Sequence, residues 1–217
     1  SDVCSSDLLE CRACKSECPV GVDMARYKSE FLSGYWDRHG LSAKARVFGS
    51  VHMTAAIGSA LAPVANALAS SSAGRWVAEQ AIGLDQRRSL PTWTRHTLRR
   101  QAPTGDASGV NALLFADTFT NHSTPEIGVA AIDVLNAAGM ATRLAPNVCC
   151  GRPLISQGRL EEARRLAAAN VHALYEPAHR GHALVFVEPS WLSAIRDDAP
   201  DLLRGRSEEH TSELQSH

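Results

Sequence analysis

Apolar and polar positions change their period near the middle of the chain, dividing it into a helical first part and an alternating second part. Across residues 22–35 the side chains of Val22, Met24, Tyr27, Phe31, Leu32 and Tyr35 recur at mostly helical spacing among charged residues. Ser42 is placed to cap a helix over residues 43–60, which residues 62–69 continue beyond Pro63 with a kink. Three serines followed by Ala73 and Gly74 break that pattern, and a short helix over 75–82 follows. Residues 70–108 read mostly as a connector that packs on its neighbours. From Val110 the texture alternates. Residues 110–115 form a short apolar run suited to a buried parallel strand, and residues 125–138 have helical periodicity with Pro125 in the first turn and Gly139 as the stop. A second strand is expected at 141–144, a helix at 159–175 with Glu161 and Arg165 paired at i,i+4, and a third strand at 183–187. The β-α-β-α-β order predicts an open parallel sheet with right-handed crossovers. The expected fold class is therefore mainly α with an α/β part, the sheet being small.

Ligands of such sheets gather at the carboxyl ends of the strands. Residues 117–122, 149–153 and 188–191 follow the three strands and are expected to converge there. They carry the adjacent pair Cys149 and Cys150 with Gly151, as well as His122 and Glu188. Two neighbouring cysteines after a strand can present both sulfurs to one site, and Gly151 tolerates a turn that other residues resist. Buried structural cysteines are the plainer alternative. His122 could reach the same mouth as a ligand, a proton donor or a hydrogen-bonding residue, or serve only the packing. The arginines at 87, 88, 95, 99 and 100 read most simply as a solvated face, with docking of a partner domain as the sharper alternative.

The run Cys11-Arg-Ala-Cys14-Lys-Ser-Glu-Cys18-Pro19 carries the most chemistry. A bacterial ferredoxin half-motif is C-x2-C-x2-C-x3-C-P, three sulfurs capping one cluster and the cysteine before proline reaching a second. The last three cysteines stand in register, and Leu8 occupies the place of the first. Cys11 and Cys14 are thus expected to bind one 4Fe-4S cluster, and Cys18 a second whose other ligands lie upstream. Zinc is the competing metal, but it does not call for the proline. Residues 1–8 and 206–217 translate the two strands of one short-read sequencing adapter and are set apart from the fold, as an expression scar would be. Cys4 then lies outside the evolved sequence, and the motif is expected to be cut at its first cysteine. The chain is expected to be an internal fragment.

Excluding five acids (Asp2, Asp7, Glu208, Glu209, Glu213) and one base (Arg206) moves the formal charge from −1 to +3. That is too mild for a nucleic-acid binder, which concentrates basic residues in a patch or stripe. Hydrophobic residues at 44% can bury a core in one or two domains. Cysteines grouped as three and two point to metal or redox chemistry in a reducing compartment, not to a secreted disulfide framework. The uncharged stretch 53–69 is shorter than the ~20 residues that span a bilayer and is interrupted by Pro63, so a buried helix pair is expected there and no transmembrane segment.

The segments CRACKSECPVGVDMARYKSEFL (11–32), LLFADTFTNHSTPEIGVAAIDVLNAAG (113–139), CCGRPLISQG (149–158) and VEPSWLSAIRDD (187–198) resemble the iron–sulfur C-terminal part of large FAD-linked oxidoreductases of the D-lactate and D-2-hydroxyglutarate dehydrogenase type. The resemblance implies a ferredoxin-type segment over 9–36, a helical connector over 37–108 and a CCG cysteine-rich α/β domain over 109–205. It implies an upstream FAD domain, or a flavoprotein subunit, that oxidises a D-2-hydroxyacid, with electrons passing through the clusters to an acceptor. Ligand roles carry over to Cys11, Cys14 and Cys18, and a cluster or redox role to Cys149 and Cys150. It places the protein in the cytoplasm, either free or peripheral at the inner membrane face. A standalone iron–sulfur subunit of a glycolate or lactate oxidation complex and a zinc-stapled interaction module are the alternatives. The family reads Glu-Pro-Ser-Cys where this chain has Glu188-Pro189-Ser190-Trp191. Tryptophan cannot replace a thiolate, and the two codons differ by one base.

Overall fold

A computed structural model describes residues 17–102 and 109–204. Helix α1 (Met24–His39) begins where the Asp23 carboxylate accepts from the Arg26 amide at 3.0 Å, and it ends with Arg38 and His39 in its last turn before Gly40. The connector helices are α2 (Ala43–Gly49), α3 (Val51–Ala60), α4 (Ala62–Ser70) and α5 (Ser72–Ile82). The expected cap at Ser42 is present, its Oγ accepting from the Ala45 amide at 3.1 Å.

The single helix expected over 43–60 is instead broken at Ser50. A side chain from far along the chain meets this break: Arg159 Nη1 donates to the Arg46 carbonyl at 3.1 Å, which also accepts from the Ser50 amide at 3.2 Å, and to Ser50 Oγ at 2.6 Å. Gly49 makes room, since a Cβ there would lie 2.9 Å from the Arg159 side chain. The junction of α3 and α4 is a bend of 111°, far sharper than a proline kink, with Pro63 in the first turn of α4 where a missing amide costs little. The turn expected at 70–74 is shorter than its composition implies. Ser71 Oγ accepts from the Gly74 amide at 3.0 Å, so α5 starts at Ser72.

The second part carries α6 (Leu98–Gln101), β1 (Ala112–Leu114), α7 (Thr118–His122), α8 (Pro125–Ala137), β2 (Thr142–Leu144), α9 (Arg152–Ser156), α10 (Leu160–His179), β3 (Ala183–Val185) and α11 (Pro189–Ser193). A π-helical turn, Ala194–Asp198, leads into α12 (Ala199–Leu203). All three expected strands form, each trimmed to three residues, in a parallel sheet of order β2-β1-β3 that pairs Ala112 with both Thr142 and Ala183. The fold is thus mainly α with a small α/β part, as the patterning predicts. The expected Glu161–Arg165 pair is made at 3.5 Å.

Alternation along β1 builds the core. Leu113 and Phe115 face a layer with Ala145, Cys150, Leu174 and Trp191, whereas Leu114 and Ala116 face Leu98 and Ile132. Both faces of the central strand are covered, which is why its sequence reads as a continuous apolar run. Helix α1 packs on α9 and α10. Trp36 Nε1 donates to the Gln157 carbonyl at 2.8 Å, and beside it Gly158 takes φ +71°, where a Cβ would fall 2.6 Å from Leu32 Cβ and 2.7 Å from the Ser33 nitrogen. Only glycine lets the turn between α9 and α10 approach α1 this closely.

Among the described residues no single helix is long and apolar enough to cross a membrane. The α3–α4 pair has the length only across its bend, and it is not the buried pair expected over 53–69: Met53, Ile57, Leu61, Val64 and Leu68 are 55–62% exposed.

Candidate functional site

The three segments leaving the carboxyl ends of the strands meet, as expected. After β1, buried Asp117 turns back to cap α7, its Oδ1 accepting from the amides of Phe119 and Thr120, each at 2.9 Å. After β2, buried Asn147 bridges to the end of β1, with Oδ1 accepting from the Ala116 amide at 3.1 Å and Nδ2 donating to the Ala116 carbonyl at 3.0 Å. Asn170, wholly buried on α10, holds the next two residues: its Oδ1 accepts from the Val148 amide at 3.0 Å and its Nδ2 donates to the Cys149 carbonyl at 2.9 Å. Two asparagines therefore pin the loop that carries the cysteines. Gly151 then adopts φ 85°, the left-handed turn that lets α9 begin directly after the pair.

The two sulfurs occupy different environments. Cys150 is 3% exposed in the layer with Phe115 and Trp191, and burial pushes its thiol well up despite the Arg152 amide 3.3 Å from the sulfur. Cys149 is half-buried, with Thr118 Oγ1 donating to its sulfur at 3.8 Å. Its thiol is held down to about 4, chiefly by a hydrogen bond from Cys150, with burial opposing and the His52 side chain and Gly151 amide adding to the stabilisation. The two shifts run in opposite directions, so of the pair Cys149 is the sulfur favoured as thiolate and Cys150 the one favoured as thiol.

This has a direct chemical consequence. Alkylation of Cys149 by iodoacetamide in the metal-free chain should change less than about twofold between about pH 6 and pH 8, whereas an ordinary thiol gains on the order of 70-fold over that interval. Cys150 should label only on unfolding. A steep pH profile at Cys149 would refute the assignment of the charge.

His52 is the partner that sequence reasoning missed. It lies on α3, 97 positions before Cys149, and its buried Nδ1 has no hydrogen-bond partner among the described residues. Its only signal in the sequence is isolation, as the sole titratable side chain between Arg46 and Arg75. His122, the histidine expected at this mouth, turns away from it. The last turn of α7 brings its Nδ1 to 2.8 Å from Ser59 Oγ on α3 and its Nε2 to 3.0 Å from Asn121 Nδ2. Glu188 is exposed and caps α11, accepting from the amide of Ser190 at 3.2 Å and from the Ser190 hydroxyl. Trp191 is 7% exposed and fills the layer that holds Cys150.

Cys18 stands in the turn before α1. The amides of Val22 and then Val20 lower its thiol below the usual range, with Gly21 adding to them against a small cost of burial. Backbone donors aimed at a sulfur favour its anionic form, the form that binds metal. Cys11 and Cys14 lie outside the described residues. Among the described residues no group of three or more His, Cys, Asp or Glu side chains is arranged to hold a metal ion. Cys149 and Cys150 supply two sulfurs where a cubane takes four, so these residues do not complete a cluster site around the pair.

No family model matches the chain, and no solved structure matches it significantly. Curated proteins do. The chain is 29% identical over 163 residues to a subunit of the anaerobic glycerol-3-phosphate dehydrogenase of Escherichia coli (strain K12), covering 72% of this chain and 41% of that protein. It is 25% identical over 206 residues to the D-2-hydroxyglutarate dehydrogenase of Pseudomonas putida, covering 88% of this chain and 20% of that protein. The D-2-hydroxyglutarate dehydrogenase of Escherichia coli (strain K12) is 21% identical over 208 residues, with 89% and 20% covered. The chain thus spans less than half the length of the first relative and a fifth of the others. Its homologues are oxidoreductases, one a part of a dehydrogenase and the others D-2-hydroxyglutarate dehydrogenases, as the cysteine-bearing segments imply.

Proposed function

We propose that the chain is the iron–sulfur electron-transfer portion of an FAD-linked D-2-hydroxyacid dehydrogenase of the lactate, 2-hydroxyglutarate or glycolate type, not catalytic by itself. The observation that carries this reading is the run Cys11-x2-Cys14-x3-Cys18-Pro19, whose described member, Cys18, has its thiol lowered chiefly by the amides of Val22 and Val20. Cys11, Cys14 and Cys18 hold 4Fe-4S clusters in the parent protein, and such clusters pass single electrons. The chain's own residues position them. The amides of Val20, Gly21 and Val22 favour an anionic sulfur, and the Trp36–Gln157 bond holds α1, which leads away from the motif, on the α/β part.

The flavin belongs to an upstream domain or a flavoprotein subunit. A surface for such a partner is supported by Tyr27 and Phe31, each 62% exposed one turn apart on α1. The second reading, a separate iron–sulfur subunit, is favoured by one relative being named a subunit of its dehydrogenase. Recovering the upstream reading frame separates the two. An FAD-binding segment in frame supports the single-chain dehydrogenase, and a start codon shortly before Cys11 supports the separate subunit.

Anaerobic reconstitution of the parent protein should give bound iron and sulfide with visible sulfide-to-iron absorption. Cys11→Ser and Cys14→Ser should remove most of the absorption of one cluster, and Cys18→Ser that of a second. Zinc bound stoichiometrically without iron would replace this reading with a zinc-stapled interaction module.

A further inference from the structure

The basic stretch that runs into α6 reads in the sequence as a solvated face, yet three of its arginines surround a cavity. The cavity has a volume of about 430 Å³ and lies between α3, the segment carrying Arg95, and α7. Its polar lining includes Ser59, Arg95, Arg99, Arg100, Asn121 and His122, and none of its lining among the described residues is a carboxylate. Eight other arginines among the described residues reach an acidic side chain within ion-pair distance, whereas none of these three does. Three guanidinium charges at positions i, i+4 and i+5 repel one another, and no acidic side chain among the described residues pairs with them.

The arrangement is nevertheless held in place. Arg99 donates through Nη2 to the Asn147 carbonyl at 2.6 Å and to Asn147 Oδ1 at 3.2 Å, and through Nη1 to the Ala145 carbonyl at 3.4 Å. Its backbone amide donates to Asn121 Oδ1 at 3.0 Å, and Arg100 Nη1 donates to the Arg95 carbonyl at 3.0 Å. These partners are all neutral, so they orient the guanidinium groups without cancelling their charge. A guanidinium carries five N–H donors, and the bonds made by Arg99 leave some of them over. Burial and the Arg99 charge hold His122 below the usual imidazole range, which makes it a neutral hydrogen-bonding wall.

We propose that this cavity binds a compact dianion, a phosphate monoester or a dicarboxylate, through the guanidinium groups of Arg95, Arg99 and Arg100. Planar guanidinium forks match the paired oxygens of phosphate and carboxylate, and a double charge offsets the local positive charge better than a single one. The volume falls at the lower end of small-molecule sites. Arg99 also joins the cavity to the cysteine loop, since Asn147 stands two residues before Cys149. The proposal rests on the cavity alone and stands whether or not the chain carries a cluster.

Isothermal titration of the full chain at low salt tests it with four probes: inorganic phosphate, glycerol 3-phosphate, 2-hydroxyglutarate and neutral glycerol. Saturable binding of at least one dianion and none of glycerol is expected, weakening as salt rises. Phosphate compounds binding alone assign the site to a phosphate ester, 2-hydroxyglutarate alone to a dicarboxylate, and both to the shared dianion chemistry. The double variant Arg95→Gln/Arg100→Gln should bind at least about tenfold more weakly. Ala56→Glu, at an exposed alanine on the cavity rim, should weaken binding as much by adding a like charge to the ligand's, and it touches none of the arginine bonds. No saturable binding below about 10 mM for any dianion would overturn the proposal, and so would wild-type affinity in both variants.

Discussion

Asn170→Leu should lower the unfolding free energy by about 2–6 kcal/mol and expose Cys150 to alkylation before the sheet melts. Leucine keeps the branched outline of the asparagine but is bulkier, so Asn170→Ala, which adds no bulk, is made beside it to separate loss of the amide from overpacking. That amide serves two backbone groups at once, the Val148 N–H and the Cys149 carbonyl. Asn170 itself is 0% exposed, so no water replaces its side chain in place, although Val148 is 43% exposed and Cys149 half-buried. Each buried backbone group left without a partner costs about 1–3 kcal/mol, which sets the range. The loop is held independently at Asn147 on one side and at Gly151 on the other, so release is local and falls on the cysteines. Urea denaturation gives the energy, and iodoacetamide labelling of Cys150 at low urea gives the local opening. A variant that loses stability with Cys150 still protected until global unfolding would show that Asn170 supports the core generally and not the loop.

The parts of this fold that are legible in the sequence are those set by local chemistry. Gly139 and Pro125 punctuate α8, Ser42 caps α2, and the apolar run at 110–115 marks the central strand because both of its faces are covered. The illegible parts are set by distant partners. The break at Ser50 is met by Arg159, whose side chain arrives from 109 positions away, and no feature of residues 43–60 forecasts that contact. The same holds at the site. Convergence of the three post-strand segments follows from parallel topology, so it can be read from the order of elements. Which histidine serves the cysteine cannot, because His52 comes from a helix outside the β-α-β repeat and His122 is rotated towards α3 by the last turn of α7. Nor can the arginine cavity be separated from a solvated face, since its other wall is contributed by Ser59 and its neighbours on α3.

Trp191→Cys should cost the metal-free chain about 3–5 kcal/mol and, on anaerobic reconstitution, raise its iron content above that of the unaltered chain. The cost follows from burial. Trp191 is 7% exposed and shares its layer with Phe115, Leu174 and Cys150, and its ring centroid lies 6.3 Å from that of Phe119. Replacing so large a buried ring by a small side chain leaves a cavity that the strands and α10 cannot close. The gain in iron follows from direction. Pro189 opens α11 and Glu188 caps it, which fixes the helical turn that sends position 191 into the layer of Cys150. A sulfur there would be a third thiol beside the Cys149–Cys150 pair, where the resembling family carries its Glu-Pro-Ser-Cys cysteine. Metal bound only by the folded form returns stability by mass action, so the variant should regain part of its loss when iron and sulfide are supplied. Chemical denaturation with and without reconstitution measures both halves. If Trp191→Cys loses stability and takes up no more iron than the unaltered chain, Trp191 is a core residue in its own right. Cys149 and Cys150 then remain a two-sulfur pair with one thiolate, and the electron path proposed for this chain ends at the clusters of Cys11, Cys14 and Cys18.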